Sequence, residues 1–360
     1  MNQGSVKKER HYGIDLLRLV CMYMIPVLHV LGQGGVMART KSNDPTYFAC
    51  WLLEILCLCA VNCYALISGY VGLEAKFRPG RLLRMAGVVE FYSVLILVVF
   101  RFLHPELVTR DVVLKALLPV QWKAYWYYSD YVGLFFLMPF LNKGVLAMDR
   151  RERDRTMLVL FLLLSVFTTV SKTFSQDPFQ LIGGYSLIWL CALYVFGACL
   201  RGSRLLELPR YVCIAGYFGC AAFAWIWKCL FDKKILPLPE ETSMNRMFVT
   251  YTSPTIFLCG LCLFLFFVNT KIRASAARKG IAVLSPLAFY VYIIHVNPVI
   301  WDNYFYQAFK TWRELPPVRC IPLVLLAALG IYLVCLAIEF VRSRAVLGLR
   351  AIIRKPEESI

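Results

Sequence analysis

Ten long apolar stretches, separated by loops that alternate between rich and poor in Lys and Arg, suit this chain to one solvent, the lipid bilayer. A spanning helix needs roughly 20 apolar residues to cross about 30 Å of hydrocarbon. Stretches of that kind lie at 14–33, 47–73, 84–103, 126–146, 155–172, 181–201, 210–231, 248–269, 280–301 and 319–342. Composition agrees: 59% hydrophobic residues and a mean hydropathy of +0.63 exceed what a soluble core of this size needs, and only 17% of residues are charged. The expected architecture is an all-α polytopic membrane protein of ten transmembrane helices. No internal repeat, low-complexity tract or long linker divides residues 1–360, which read as a single domain. Met1 to Arg10 is polar and no small-residue cleavage site follows the first span, so that span is expected to stay in the protein.

Loop charge sets the orientation. Lys7, Lys8 and Arg10 precede the first span, Lys76, Arg78, Arg81 and Arg84 follow the second, and Lys143, Arg150, Arg151, Arg153 and Arg155 follow the fourth. The same side of a ten-span chain carries Arg201, Arg204 and Arg210, then Lys271, Arg273, Arg278 and Lys279, then Arg342, Arg344, Arg350, Arg354 and Lys355. The intervening loops are balanced by acid, as in Asp232, Lys233, Lys234, Glu240 and Glu241, and the positive-inside rule therefore predicts that both termini are cytoplasmic. The net charge of +17 reads as topology plus attraction to anionic membrane lipids, without a nucleic-acid partner. Outer segments at 104–125, 232–247 and 302–318 are expected to cap the external face, with Pro105, Pro237 and Pro239 opposing regular helix.

Fourteen cysteines invite a metal or disulfide reading. Cys57, Cys59, Cys63, Cys191, Cys199, Cys259 and Cys262 lie inside apolar spans, where a thiol behaves as a small hydrophobe, and Cys259-x-x-Cys262 has no partner pair at zinc spacing. Neither metal nor structural disulfide is expected.

Ionisable residues in hydrocarbon are functional candidates by default, because burying them costs free energy. His29 lies in the first span, eleven positions after Arg18, which is about three helical turns: the two share a face and stand about 16 Å apart along the axis. His295, late in the ninth span, and Glu54, early in the second, reach a similar depth in the outer half. A His, Glu, His cluster facing one cavity would suit general base catalysis, with the carboxylate orienting an imidazole or stabilising its cation. The competing account has Glu54 holding a backbone group or the Asn62 amide. His11 and His104 fall in interfacial segments and are expected to do no chemistry. Arg81 and Arg84, three apart at a helix start, project from one face in a geometry suited to phosphate oxygens, with membrane anchoring as the alternative.

The order of motifs is more specific than any one of them. Arg18 and His29 in the first span, Asn62 to Tyr70 with Ser68-Gly69 near its end, and Arg81-Leu-Leu-Arg84 are followed by Tyr125 to Tyr131 and by Leu137-Met-Pro-Phe-Leu-Asn142. Gly183-Gly-Tyr-Ser-Leu-Ile-Trp189, Tyr251-Thr-Ser-Pro254 and Tyr292-Ile-Ile-His295 complete the series. Over nearly the whole chain this resembles the bacterial integral-membrane acyltransferase family three, the O-acyltransferases of cell-surface glycans. Asp130 departs from the pattern, in which small or apolar residues are commoner after the serine, and no soluble esterase-like domain is appended.

The resemblance implies transfer of an acyl group, usually acetyl, from acyl-CoA on the cytoplasmic side to a hydroxyl of a glycan or lipid-linked sugar, in the bacterial plasma membrane. It implies catalysis by His29, support of it or of the donor by Arg18, and coenzyme binding by Arg81 and Arg84. Ser68, beside the donor residues, reads as a hydrogen-bonding or packing residue, with an acyl-accepting role as the alternative. A thioester needs only a base-activated hydroxyl and an oriented carbonyl, so acetyl-CoA is the one cofactor expected. A lipid-linked sugar flippase or small-solute transporter would share the spans but would be expected to show broken helices and a repeat. A glycan receptor would use the outer aromatics Trp122, Tyr125, Trp126 and Tyr127, yet leave the basic stripe without a purpose.

Overall fold

The computed structural model describes residues 10–38, 44–235 and 243–353, and among them the chain is helical throughout, with no strand. Lys7, Lys8, Pro237, Pro239, Glu240, Glu241, Arg354 and Lys355, which entered the charge and turn readings above, lie outside the described residues. The helices are α1 (Tyr12–Leu31), α2 (Pro45–Leu58), α3 (Ala60–Gly72), α4 (Pro79–Leu103), α5 (Arg110–Leu117), α6 (Trp126–Ala147), α7 (Arg150–Phe161) and α8 (Thr168–Ser171). They continue with α9 (Leu187–Cys199), α10 (Arg210–Asp232), α11 (Pro254–Val268), α12 (Ser275–Leu284), α13 (Ala288–His295), α14 (Pro298–Ile300) and α15 (Pro317–Ile353).

Among the described residues, seven helices or continuous helical runs are long and apolar enough to cross a bilayer: Tyr12–Leu31, Pro45–Gly72, Pro79–Leu103, Arg150–Phe174, Arg210–Asp232, Ser275–His295 and Pro317–Leu349. The other three expected spans are helical but fall short in length or apolarity. Leu187–Cys199 and Pro254–Val268 are the shorter two; thirteen residues rise only about 20 Å. α6 has 22 residues, but Trp126, Tyr127, Tyr128 and Asp130 dilute its first turns. The protein is a multi-pass membrane protein, and its outward-facing side chains agree: α4 leaves Leu95, Val98, Val99 and Phe102 exposed.

α1 is the hub. It packs on α2, α3, α11, α12, α13 and α15, so whatever it carries is held in the middle of the bundle. The closest backbone approach is between α3 and α9, where a Cβ on Gly69 would lie 1.8 Å from the Tyr194 carbonyl oxygen and one on Gly197 would lie 2.2 Å from that of Leu66. Reciprocal glycines let two apolar helices touch along their backbones, the contact by which helices associate when lipid is as apolar as they are.

Several expected spans are not straight helices: the fifth passes through a π-helical segment at Leu162–Phe167, and two others divide. The second divides at Cys59 into α2 and α3, and the ninth, placed at 280–301, is α12, a 3₁₀ turn at Ser285–Leu287 containing Pro286, and α13, which stops at His295. Asn297 then restarts the chain: its side chain accepts from the Val299 amide at 3.1 Å, donates to the Tyr125 hydroxyl at 3.1 Å, and leads into a π-helical turn at Trp301–Phe305. Hydropathy averaged over a whole span does not reveal these breaks, although Pro286, Asn297 and Pro298 mark two of them. The breaks place His295 at a helix end and Trp301 beside His29, with ring centroids 4.8 Å apart.

Candidate functional site

His29 and His295 meet. His29 Nδ1 lies 2.8 Å from His295 Nε2, and His295 Nδ1 lies 2.6 Å from the carbonyl oxygen of Val291, one turn back on α13. A carbonyl oxygen only accepts, so His295 Nδ1 carries the proton; in the neutral ring Nε2 is then an acceptor, and His29 must donate to it from Nδ1. The relay leaves the lone pair of His29 on Nε2. A backbone carbonyl thus sets the tautomer of a histidine on another helix, and the edge-on ring of Trp301 holds that histidine in place.

His29 stands where two cavities come together. At the basic end of the bundle a cavity of about 1000 Å³ is lined by Arg10, Arg18, Arg81, Arg84 and Arg342, with Asp15 as its one acidic residue. At the far end a cavity of about 470 Å³ is lined by His29, Glu54, Trp122, Trp126, Tyr185 and Trp301, among others. Between them is a constriction of about 40 Å³. It shares Tyr64, Tyr127 and Phe289 with the basic cavity, and His29, Trp126, Tyr251 and Tyr292 with the far one. The stripe from Arg18 to His29 therefore runs along a path, not along a closed helix interface.

Three of these arginines are held in position by carboxylates. Asp15, 5% exposed, accepts from Arg10 Nε at 2.5 Å, from Arg18 Nη1 at 2.6 Å and from the Ser285 hydroxyl at 3.0 Å. The Tyr64 hydroxyl donates to the Arg18 carbonyl at 2.7 Å. Arg81 and Arg84 sit in the first turns of α4, which begins at Pro79, where proline costs no helical hydrogen bond. Arg342 is gripped by both oxygens of Glu339, at 2.7 and 2.6 Å, and Glu339, 1% exposed, also accepts from the Tyr92 hydroxyl at 2.7 Å. Ser68 lines the basic cavity and donates to the Tyr64 carbonyl one turn earlier at 2.9 Å.

Glu54 shares the far cavity with His29, but the nitrogen of His29 that needed a partner is taken by His295, and the buried Oε2 of Glu54 has no hydrogen-bond partner among the described residues. The Asn62 amide, its alternative partner, instead donates to the Tyr251 carbonyl at 2.9 Å and accepts from Trp189 Nε1 at 3.1 Å. Asn142 likewise ties Gly72 to the Tyr194 hydroxyl. Several motif residues are therefore joints between helices, bonded to one another. His11 accepts from the Ile14 amide at the start of α1, and His104 pairs with Glu106.

With this geometry in place, comparison with known proteins decides the class. The family model of the acyltransferase domain, family three, matches residues 11–340. The chain belongs to that family. It is a membrane acyltransferase, transferring groups other than aminoacyl groups. Nothing among curated proteins or solved structures matches it. The broken helices expected of a transporter do occur here, and in this acyltransferase they bring His295 to His29.

Sequence reasoning missed Arg10, Arg342 and Asp15 as cavity residues and Val291 and Trp301 as parts of the histidine site. Arg10 and Arg342 were absorbed into the positive-inside pattern. The carboxylate three residues before Arg342, at Glu339 in an apolar helix, was the available signal.

Proposed function

We propose that this acyltransferase moves an acetyl group from cytoplasmic acetyl-CoA to a hydroxyl of a cell-surface or lipid-linked glycan across a bacterial plasma membrane, with His29 as general base. The proposal includes ten spans with both termini cytoplasmic, which puts the basic cavity at the cytoplasmic face. The observation that carries it is the meeting of two unlike cavities at a histidine whose Nε2 lone pair is left available.

The basic cavity suits a polyanionic donor in both size and charge, since five guanidinium groups face one carboxylate there. Arg81 and Arg84 would hold phosphates, and Arg18, fixed by Asp15, would guard the way toward His29. His29 Nε2 takes the proton of the acceptor hydroxyl as the oxygen attacks the thioester carbonyl. The C–O bond forms, the C–S bond breaks, and the proton passes from His29 to the departing thiolate. His295 is a positioning residue: it keeps the proton of His29 on Nδ1 and shares the positive charge while Nε2 is protonated.

Purified protein supplied with [¹⁴C]acetyl-CoA and envelope glycan should place label on the glycan. Movement of unmodified sugar without labelling would overturn the proposal. Cysteines substituted at Lys234 and Arg278 should react with impermeant reagents from opposite sides of the membrane. Reaction of both from one side would break the assignment of the donor cavity to the cytoplasm.

A further inference from the structure

Glu54 is left over once the histidine pair is assembled. It sits in the membrane-spanning pair α2–α3, where an ionisable side chain is costly, and the buried Oε2 makes no hydrogen bond within the described residues. It lines the same far cavity as His29, whose own partner is His295. Arg246 acts on this carboxylate through space, but the unbonded Oε2 still leaves an acceptor poised to take a hydrogen bond from a ligand.

Two features of the cavity indicate which ligand. Trp122, Trp126 and Trp301 line it, offering apolar ring faces. Its formal charges balance, with Glu54 and Asp302 against Lys115 and Lys123, and each of these lysines lies beside an aspartate outside the lining, Asp111 at 2.6 Å and Asp130 at 3.7 Å. A cavity of this kind favours a neutral ring that carries several hydroxyls over an amine or a phosphate. We propose that Glu54 is an acceptor-binding residue. It accepts a hydrogen bond from a hydroxyl adjacent to the one that reacts, fixing a pyranose against a tryptophan so that a single hydroxyl reaches His29 Nε2. This inference rests on the reading of the far cavity as the acceptor site.

The test uses purified full-length protein with saturating [¹⁴C]acetyl-CoA and, as acceptor probes, octyl glucoside, octyl galactoside and octyl mannoside with their monodeoxy analogues. Glu54→Gln and Glu54→Ala should raise the KM for the best pyranoside by about tenfold or more. The KM for acetyl-CoA and its slow acceptor-free hydrolysis should stay as in the wild type. One monodeoxy analogue should be a poor acceptor for the wild type, yet lose little further in Glu54→Ala, because the contact is already gone. If both variants keep the wild-type acceptor KM and the same response to every deoxy analogue, Glu54 does not bind the acceptor. If acceptor-free hydrolysis falls together with transfer, Glu54 belongs to the catalytic pair and the inference is also overturned. Failure of the wild type to label any pyranoside would instead overturn the reading of the far cavity on which the inference rests. Should Glu54→Ala fail to fold, Glu54→Gln, which preserves the side-chain shape, decides on the same readouts.

Discussion

The basic cavity and the far cavity are built by opposite strategies. In the first, three of the five arginines are fixed by buried carboxylates: Asp15 holds Arg10 and Arg18, and Glu339 holds Arg342. In the second, three tryptophans and three tyrosines make the wall, the formal charges cancel, and the buried carboxylate Oε2 of Glu54 is unbonded. A guanidinium group swings on a long flexible stem, so a site for a polyanion gains from anchoring it beforehand. A site for a neutral ring needs flat apolar faces and a few unsatisfied acceptors instead. Only the histidine pair between the cavities depends on neither strategy, since its geometry comes from a backbone carbonyl.

The sharpest way to break this division is at its boundary. His29→Ala should lower transfer by about 10²–10⁴-fold while leaving donor affinity nearly intact, because the arginines lie about three helical turns away. Steady-state transfer and equilibrium binding of acetyl-CoA would check it, and a well-folded variant with wild-type turnover would remove His29 as base. His295→Ala should cost less, on the order of 10–100-fold in kcat, with His295→Gln recovering part of the loss through an amide oxygen that accepts from His29 Nδ1. A structural role alone would not give that recovery.

Within the basic cavity the effects should fall on the donor. Arg81→Ala with Arg84→Ala should raise the KM for acetyl-CoA by about tenfold or more, each charge-assisted contact being worth roughly 1.5–3 kcal/mol. The KM for the acceptor should not move. Glu339→Gln is the smallest expected change: with the paired charge gone Arg342 is held less firmly, and donor KM should rise about two- to fivefold at unchanged kcat. An acceptor KM that moved with either variant would show that the two cavities are not separate sites.

Of the fold, the helical class and ten apolar segments were legible because apolar length is a property of the chain itself. Helix breaks at Cys59, at Pro286 and after His295 were not, since the mean hydropathy of each span stays high across them. Of the candidate site, the structure puts Arg18, His29, Arg81, Arg84 and Ser68 beside the cavities and His295 beside His29, contacts that spacing along the chain does not contain. Glu54 was grouped with His29 by depth alone, and depth does not say which side chains touch.

The sequence by itself determined the membrane as solvent, the ionisable residues buried in it, and the family. These follow from residue types and spacings along one chain. Tertiary structure alone decided that Val291 sets the tautomer of His29 through His295, that Arg10, Arg18 and Arg342 line one cavity, and that the path between the cavities narrows at His29. The contact between the two histidines, and the bonds from Ser285 to Asp15 and from Tyr92 to Glu339, join helices far apart in sequence at about 3 Å or less, a quantity that periodicity and hydropathy do not contain.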